Sequence, residues 1–157
     1  MEMKKETISQ YDFGLPFHQQ NDKLIYYAMR HNHNRLHDII YIASYIHEAT
    51  FLLSKIFRYK NKVVISLNRI RWELLKSSGQ LIDIRSQLVI NNISKITFEI
   101  NNSFDLKRKK IEIRDFCLFE NTIFIMTTFN ICKIMIKISS KSNVMLMDKE
   151  EIDTIQK

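Results

Sequence analysis

The chain has 157 residues, 45% of them apolar and 11% aromatic, and a formal charge of +7. That length suits one domain able to withdraw about 70% of its unfolded surface from water, and that apolar content excludes a disordered chain. No apolar run approaches the ~20 residues of a membrane span and no apolar h-region follows the first lysines, so a single cytoplasmic domain over 1–157, with neither membrane nor secretory segment, is expected.

Residues 1–20 read as an extended lead-in, punctuated by Gly14-Leu15-Pro16. Asn21 or Asp22 then caps a short helix carrying Leu24, Ile25, Ala28 and Met29. Asn34 caps a second helix with Leu36, Ile39, Ile40, Ala43, Ile46, Thr50 and Phe57 in one broad stripe, ending somewhere between Thr50 and Arg58. Residues 21–58 are thus expected to be helical, in one or two helices.

From Lys62 the period changes from 3.6 to 2. Runs at 62–75, 80–90, 93–100, 109–119, 122–129 and 131–138 are rich in β-branched and aromatic residues, with 143–147 as a further candidate. Asn91-Asn92, Asn101-Asn102, Glu120-Asn121 and Asn130 separate them. Glycine is almost absent, so asparagine is left to take positive φ in tight turns. Short connections predict antiparallel pairing. The expected fold is α+β: one or two N-terminal helices, then an antiparallel meander of six or seven strands over 62–147, and a tail at 148–157. No internal repeat is legible.

The positive charge has two explanations. An anionic partner is one. The other is codon bias: 25 Ile and 16 Lys stand against 3 Ala, 2 Gly, 1 Pro and 8 Arg, the pattern of an AT-rich genome. The second explanation disfavours nucleic acid as a partner. "KRKK" at 107–110 reads as a solvated turn, or a contact for an acidic partner.

Four of the five histidines fall in 31–47. His47-Glu48 begins an HExxH zinc motif, but position 51 is Phe. His33 and His37 can share a helix face, yet two imidazoles make half a tetrahedral site, so no metal is expected. His47 falls inside the apolar stripe, which predicts a buried, neutral, hydrogen-bonded ring, while His37 should point to water. Two glycines, Gly14 and Gly79, cannot build a dinucleotide or P-loop motif, and no GxSxG elbow is present. No cofactor is expected. Cys117 and Cys132, isolated in strand-like surroundings, read as inert packing.

The segment "NRIRWEL" reverses its alternation. Val63, Ile65 and Leu67 are apolar at odd positions, whereas Arg69, Arg71 and Glu73 are charged there and Ile70, Trp72 and Leu74 apolar at even ones. A β-bulge near Asn68, with Trp72 in the core and an Arg/Glu ladder in water, is the expected arrangement. Ile46-His47-Glu48-Ala49-x-Phe51 followed by Arg69 or Arg71, Trp72 and Glu73 resembles a family of small uncharacterised bacterial α+β domains. The resemblance covers about 30 residues and implies no activity; it implies that His47, Glu48 and the Arg-Trp-Glu strand meet in space. Three functions are weighed. A non-enzymatic cytoplasmic protein-binding module of immunity-protein or adaptor type leads, with His47, Glu48, Arg69, Arg71, Trp72 and Glu73 as its contact residues. A small hydrolase-like enzyme would use His47 and Glu48 as acid–base residues and an arginine to hold an anion. A weak nucleic-acid-binding sheet is the third. Partner identity and oligomeric state are left open.

Overall fold

Helix α1 spans Arg35–Ile46 and buries Ile39, Ile42 and Ile46, the i, i+3, i+7 spacing of an amphipathic helix. The computed structural model describes residues 18–20, 23–28, 35–72, 79, 81–101 and 109–151, and among these it holds one α-helix and ten strands. Strands β1 (His18–Gln20) and β2 (Lys23–Ala28) precede the helix. Eight follow: β3 (Thr50–Tyr59), β4 (Lys62–Ile70), β5 (Asp83–Asn91), β6 (Lys95–Ile100), β7 (Ile111–Phe119), β8 (Thr122–Thr127), β9 (Cys132–Lys137) and β10 (Asn143–Glu151). The class is α+β with an antiparallel sheet, as expected, but with one helix and eight following strands.

The differences have local causes. Residues 23–28 form a strand because a segment that short gains little as an isolated helix, whereas Ile25–Ala28 find a full ladder on β10. Helix α1 stops at Ile46 because Glu48 turns left-handed (φ 64°) and the Ala49 amide bonds back to the Ile46 carbonyl at 2.9 Å. Thr50, in phase with the helical stripe on paper, therefore opens β3. Residues 148–151 complete β10 rather than a tail. The Asn34 cap lies outside the described residues.

The strand order is β1-β2-β10-β5-β4-β3-β7-β8-β9-β6, with antiparallel pairs throughout. This is not a meander. β5 pairs with β10, β6 with β9, and β3 meets β7 only at Thr50 and Phe51. Exchanging β3 with β7, β4 with β8, β5 with β9 and β6 with β10 reproduces the same set of pairs among them. Two four-strand units thus interlock by exchanging their last strands.

Side chains and turns obey the same relation. Val63 and Ile65 on β4 correspond to Ile123 and Ile125 on β8, and Leu88 and Ile90 on β5 to Ile134 and Ile136 on β9; all eight are buried. The hairpin turns Lys60-Asn61 and Glu120-Asn121 each begin with positive φ, 55° and 54°. Each second residue's carbonyl accepts an amide from a buried isoleucine at 2.8 Å: Ile93 to Asn61, Ile138 to Asn121. The two units and α1 enclose one apolar core.

Candidate functional site

Strand β4 keeps its phase past Asn68. Its register with β5 runs unbroken from Val63↔Ile90 to Ile70↔Asp83, and Val63, Ile65, Leu67 and Arg69 are all buried on one face. The expected bulge near Asn68 does not occur. The irregularity lies in β3, where residues 52–55 stand opposite Ser66 alone. The reversal in "NRIRWEL" is therefore one of chemistry, not geometry: arginine occupies the core-facing phase. Arg69 is fully buried, Arg71 is 1% exposed, and Trp72, expected in the core, is partly exposed. Glu73 lies outside the described residues.

Burying a guanidinium is costly unless its donors are matched by fixed acceptors. Asp148 supplies them. Arg69 Nε donates to Asp148 Oδ1 and Nη2 to Oδ2, both at 2.8 Å, a bidentate pair with both side chains fully shielded from water. The Ser86 hydroxyl donates to Asp148 Oδ1 at 2.6 Å, and Arg69 Nη1 donates to the Ile70 carbonyl at 3.2 Å. Register explains the meeting: Ser86 lies directly across from Asp148 on β10 and across from Leu67 on β4, so Arg69, two residues on, reaches Asp148 over β5. In the other unit the places of Ser86 and Asp148 are held by Cys132 and Ile100. Only one of the two units carries the polar cluster.

Aromatic side chains link this cluster to the helix. The Arg69 guanidinium carbon sits 5.8 Å from the Tyr45 ring centre, and Tyr45 lies 5.8 Å from Tyr26. The Tyr26 hydroxyl donates to the buried Asp38 at 3.4 Å. Burial first, and the nearby Asp38 carboxylate second, push the Tyr26 phenol well above its usual pKa.

At the end of α1, His47 lies in the turn after the helix and is exposed, with 55% of its side chain open to solvent. This corrects the expected buried ring. The helix ends at Ile46, the residue before it, so His47 leaves the apolar stripe. His37 is exposed, as expected. The Trp72 indole N–H donates to the His47 carbonyl at 2.9 Å, and the two rings lie 6.0 Å apart, tilted by 38°. His47 Nε2 is 3.6 Å from Glu48 Oε2. His47, Glu48 and Trp72 thus meet at the surface while Arg69 and Arg71 lie in the interior. From His47 an open groove of about 580 Å³ runs between α1 and β7, lined by Ile40, Ala43, Phe116, Cys117 and the Arg114–Asp115 pair. A second recess, about 420 Å³, opens at the irregularity in β3 and is lined by Lys55, Arg85 and Lys110.

Comparison with protein-family models, curated proteins and solved structures gives no match. Among the described residues no group of three or more His, Cys, Asp and Glu side chains could hold a metal ion, and no helix is long and apolar enough to cross a membrane. His31 and His33 lie outside the described residues. Burial pushes the Cys132 thiol up to about 11, and burial followed by the nearby Asp115 carboxylate raises Cys117.

Asp148, Ser86, Tyr45, Tyr26 and Asp38 were not singled out from sequence. A signal for the first was present. Asp148 continues the phase of Val144 and Leu146, just as Arg69 continues that of Val63, Ile65 and Leu67. Opposite charges that end two core-phase runs are a pairing signature.

Proposed function

We propose that this chain is a non-enzymatic, cytoplasmic protein-binding module of the immunity-protein or adaptor kind, whose contact surface centres on His47, Glu48 and Trp72. The observation that carries this reading is the division of labour at the end of α1. Arg69 is committed to Asp148 in the core, so it cannot serve as the anion holder a hydrolase would need beside His47. At the surface stands an aromatic pair held in place by a hydrogen bond to main chain, at the head of a groove whose arginine, Arg114, is paired with Asp115. A tryptophan with little freedom left, flanked by a histidine and a carboxylate, suits a contact anchor, because its ordering cost is met before any partner arrives.

The test is calorimetric titration of the purified chain with the product of its neighbouring gene. Stoichiometric binding is expected, weakened at least tenfold by His47→Ala with the circular dichroism spectrum unchanged. Turnover of ester, phosphodiester or peptide substrates that disappears in His47→Ala would replace this reading with the hydrolase.

A second reading, contact with an anionic partner, draws on the recess lined by Lys55, Arg85 and Lys110. It expects binding that falls steeply between low and physiological salt, as counterion release requires.

A further inference from the structure

The two interlocked units are not finished alike. The strand equivalent to β6 is β10, and its outer edge is covered by β2 through Val144↔Ala28 to Met147↔Ile25. Among the described residues no strand covers the outer edge of β6. The inner face of β6 is also incompletely shielded: Phe98 and Ile100, in phase with the buried Ile134 and Ile136 of β9, are 39% and 41% exposed. An uncovered edge of β-branched and aromatic residues is a template for another strand.

We infer that β6 pairs antiparallel with β6 of a second copy of this chain, joining two sheets across a twofold axis at Thr97. The backbone phase restricts the register. The Asn101 amide bonds the Ile131 carbonyl at 2.9 Å, which places odd-numbered residues of β6 in the pairs bonded to β9. The backbone groups of Ile96, Phe98 and Ile100 therefore face outward. Antiparallel bonding needs outward-facing residues opposite each other, so the twofold passes through a residue and not between two. Centred on Thr97, Ile96 faces the second copy's Phe98 and Lys95 faces its Glu99, each contact made twice. Centred on Phe98, Lys95 would face an asparagine and Glu99 a threonine. Opposite charges select the Thr97 register.

Sedimentation of the full chain reads this directly. Wild type should form a dimer. Lys95→Glu and Glu99→Lys each place like charges opposite one another twice, and each should weaken the dimer roughly tenfold. An equimolar mixture of the two variants restores both pairs and should form a heterodimer at least as tight as wild type. Amide exchange of Ile96, Phe98 and Ile100 should slow with rising concentration in wild type. A monomer across the accessible concentration range, or a dimer indifferent to both charge changes, overturns the inference. So does failure of the mixture to recover when each variant alone keeps the wild-type circular dichroism spectrum.

Discussion

Arg69 and Asp148, 79 positions apart in the chain, lie side by side in the core through two parallel hydrogen bonds of 2.8 Å. The pair ties β4 to β10 across β5, and so ties the second strand of the β3–β4 hairpin to the last described strand. Both charges have left water, a cost that only matched geometry offsets.

Asp148→Ala should therefore cost about 3–5 kcal/mol, the range for orphaning one member of a buried pair. Removing the whole cluster should be far milder. The triple variant Arg69→Met, Asp148→Leu, Ser86→Ala should recover most of that loss, because apolar side chains of similar volume need no partner. Urea unfolding of the set, with unchanged m-values, measures both. If the triple variant is no better than Asp148→Ala, the cluster has a role beyond pairing.

His47→Ala should leave stability within about 0.5 kcal/mol of wild type, since the ring is exposed and the Trp72 hydrogen bond goes to its main-chain carbonyl. Trp72→Phe removes the donor and should cost about 0.5–1.5 kcal/mol, the usual net worth of one hydrogen bond. Denaturant melts of the two variants compare them. A larger loss for His47→Ala than for Trp72→Phe contradicts the assignment.

The equivalent turns make matched experiments. Lys60 and Glu120 both carry positive φ, a conformation that strains an L side chain and suits glycine. Lys60→Gly and Glu120→Gly should each stabilise the fold by about 0.5–1 kcal/mol, relief of strain exceeding the added chain entropy. Asn61→Gly and Asn121→Gly have no such strain to relieve and should not stabilise. Thermal unfolding of the four variants tests the equivalence of the hairpins.

Stability should decline in alkali. Burial raises the Cys132 thiol to about 11 from a reference of 9.0, and raises Cys117 and the Tyr26 phenol in the same direction. Above about pH 9 the unfolded chain gives up thiol protons that the folded chain retains, so the unfolded state binds fewer protons and ΔG of unfolding falls as pH rises. The contribution is intact below about pH 9 and is lost on the climb toward about 11. Cys132→Ala should flatten that slope. Urea melts at pH 7.5, 9 and 10.5 check the sign.

Much of the sheet was legible from residues 62–147 alone, because alternation along Ile96/Phe98/Ile100 or Ile134/Ile136/Ile138 reports one buried face whatever lies across it. The length of α1 was not. Thr50 fits the helical stripe as well as it fits a strand, and a left-handed Glu48 leaves no mark in a periodicity. Pairing order was also beyond reach. Alternation states which face is buried but not which neighbour supplies the ladder, so the exchange of β6 and β10 between two similar units stayed hidden.

For the candidate site, local patterns brought His47, Glu48 and Trp72 into view but placed His47 and Trp72 on the wrong side of the surface. The apolar character of Ile70, Trp72 and Leu74 argued that even positions face inward. Within β4, which ends at Ile70, tertiary structure decided otherwise, because the strand cannot change faces without breaking its register with β5. With that register kept, Arg69 has to point into the core, and it is stable there only because β10 carries Asp148 to within 2.8 Å of it. Sequence alone determined an α+β chain with one apolar face per strand. That the arginine is structural, and that histidine and tryptophan are left at the surface, depended on a residue 79 positions away, a relation that no local pattern contains.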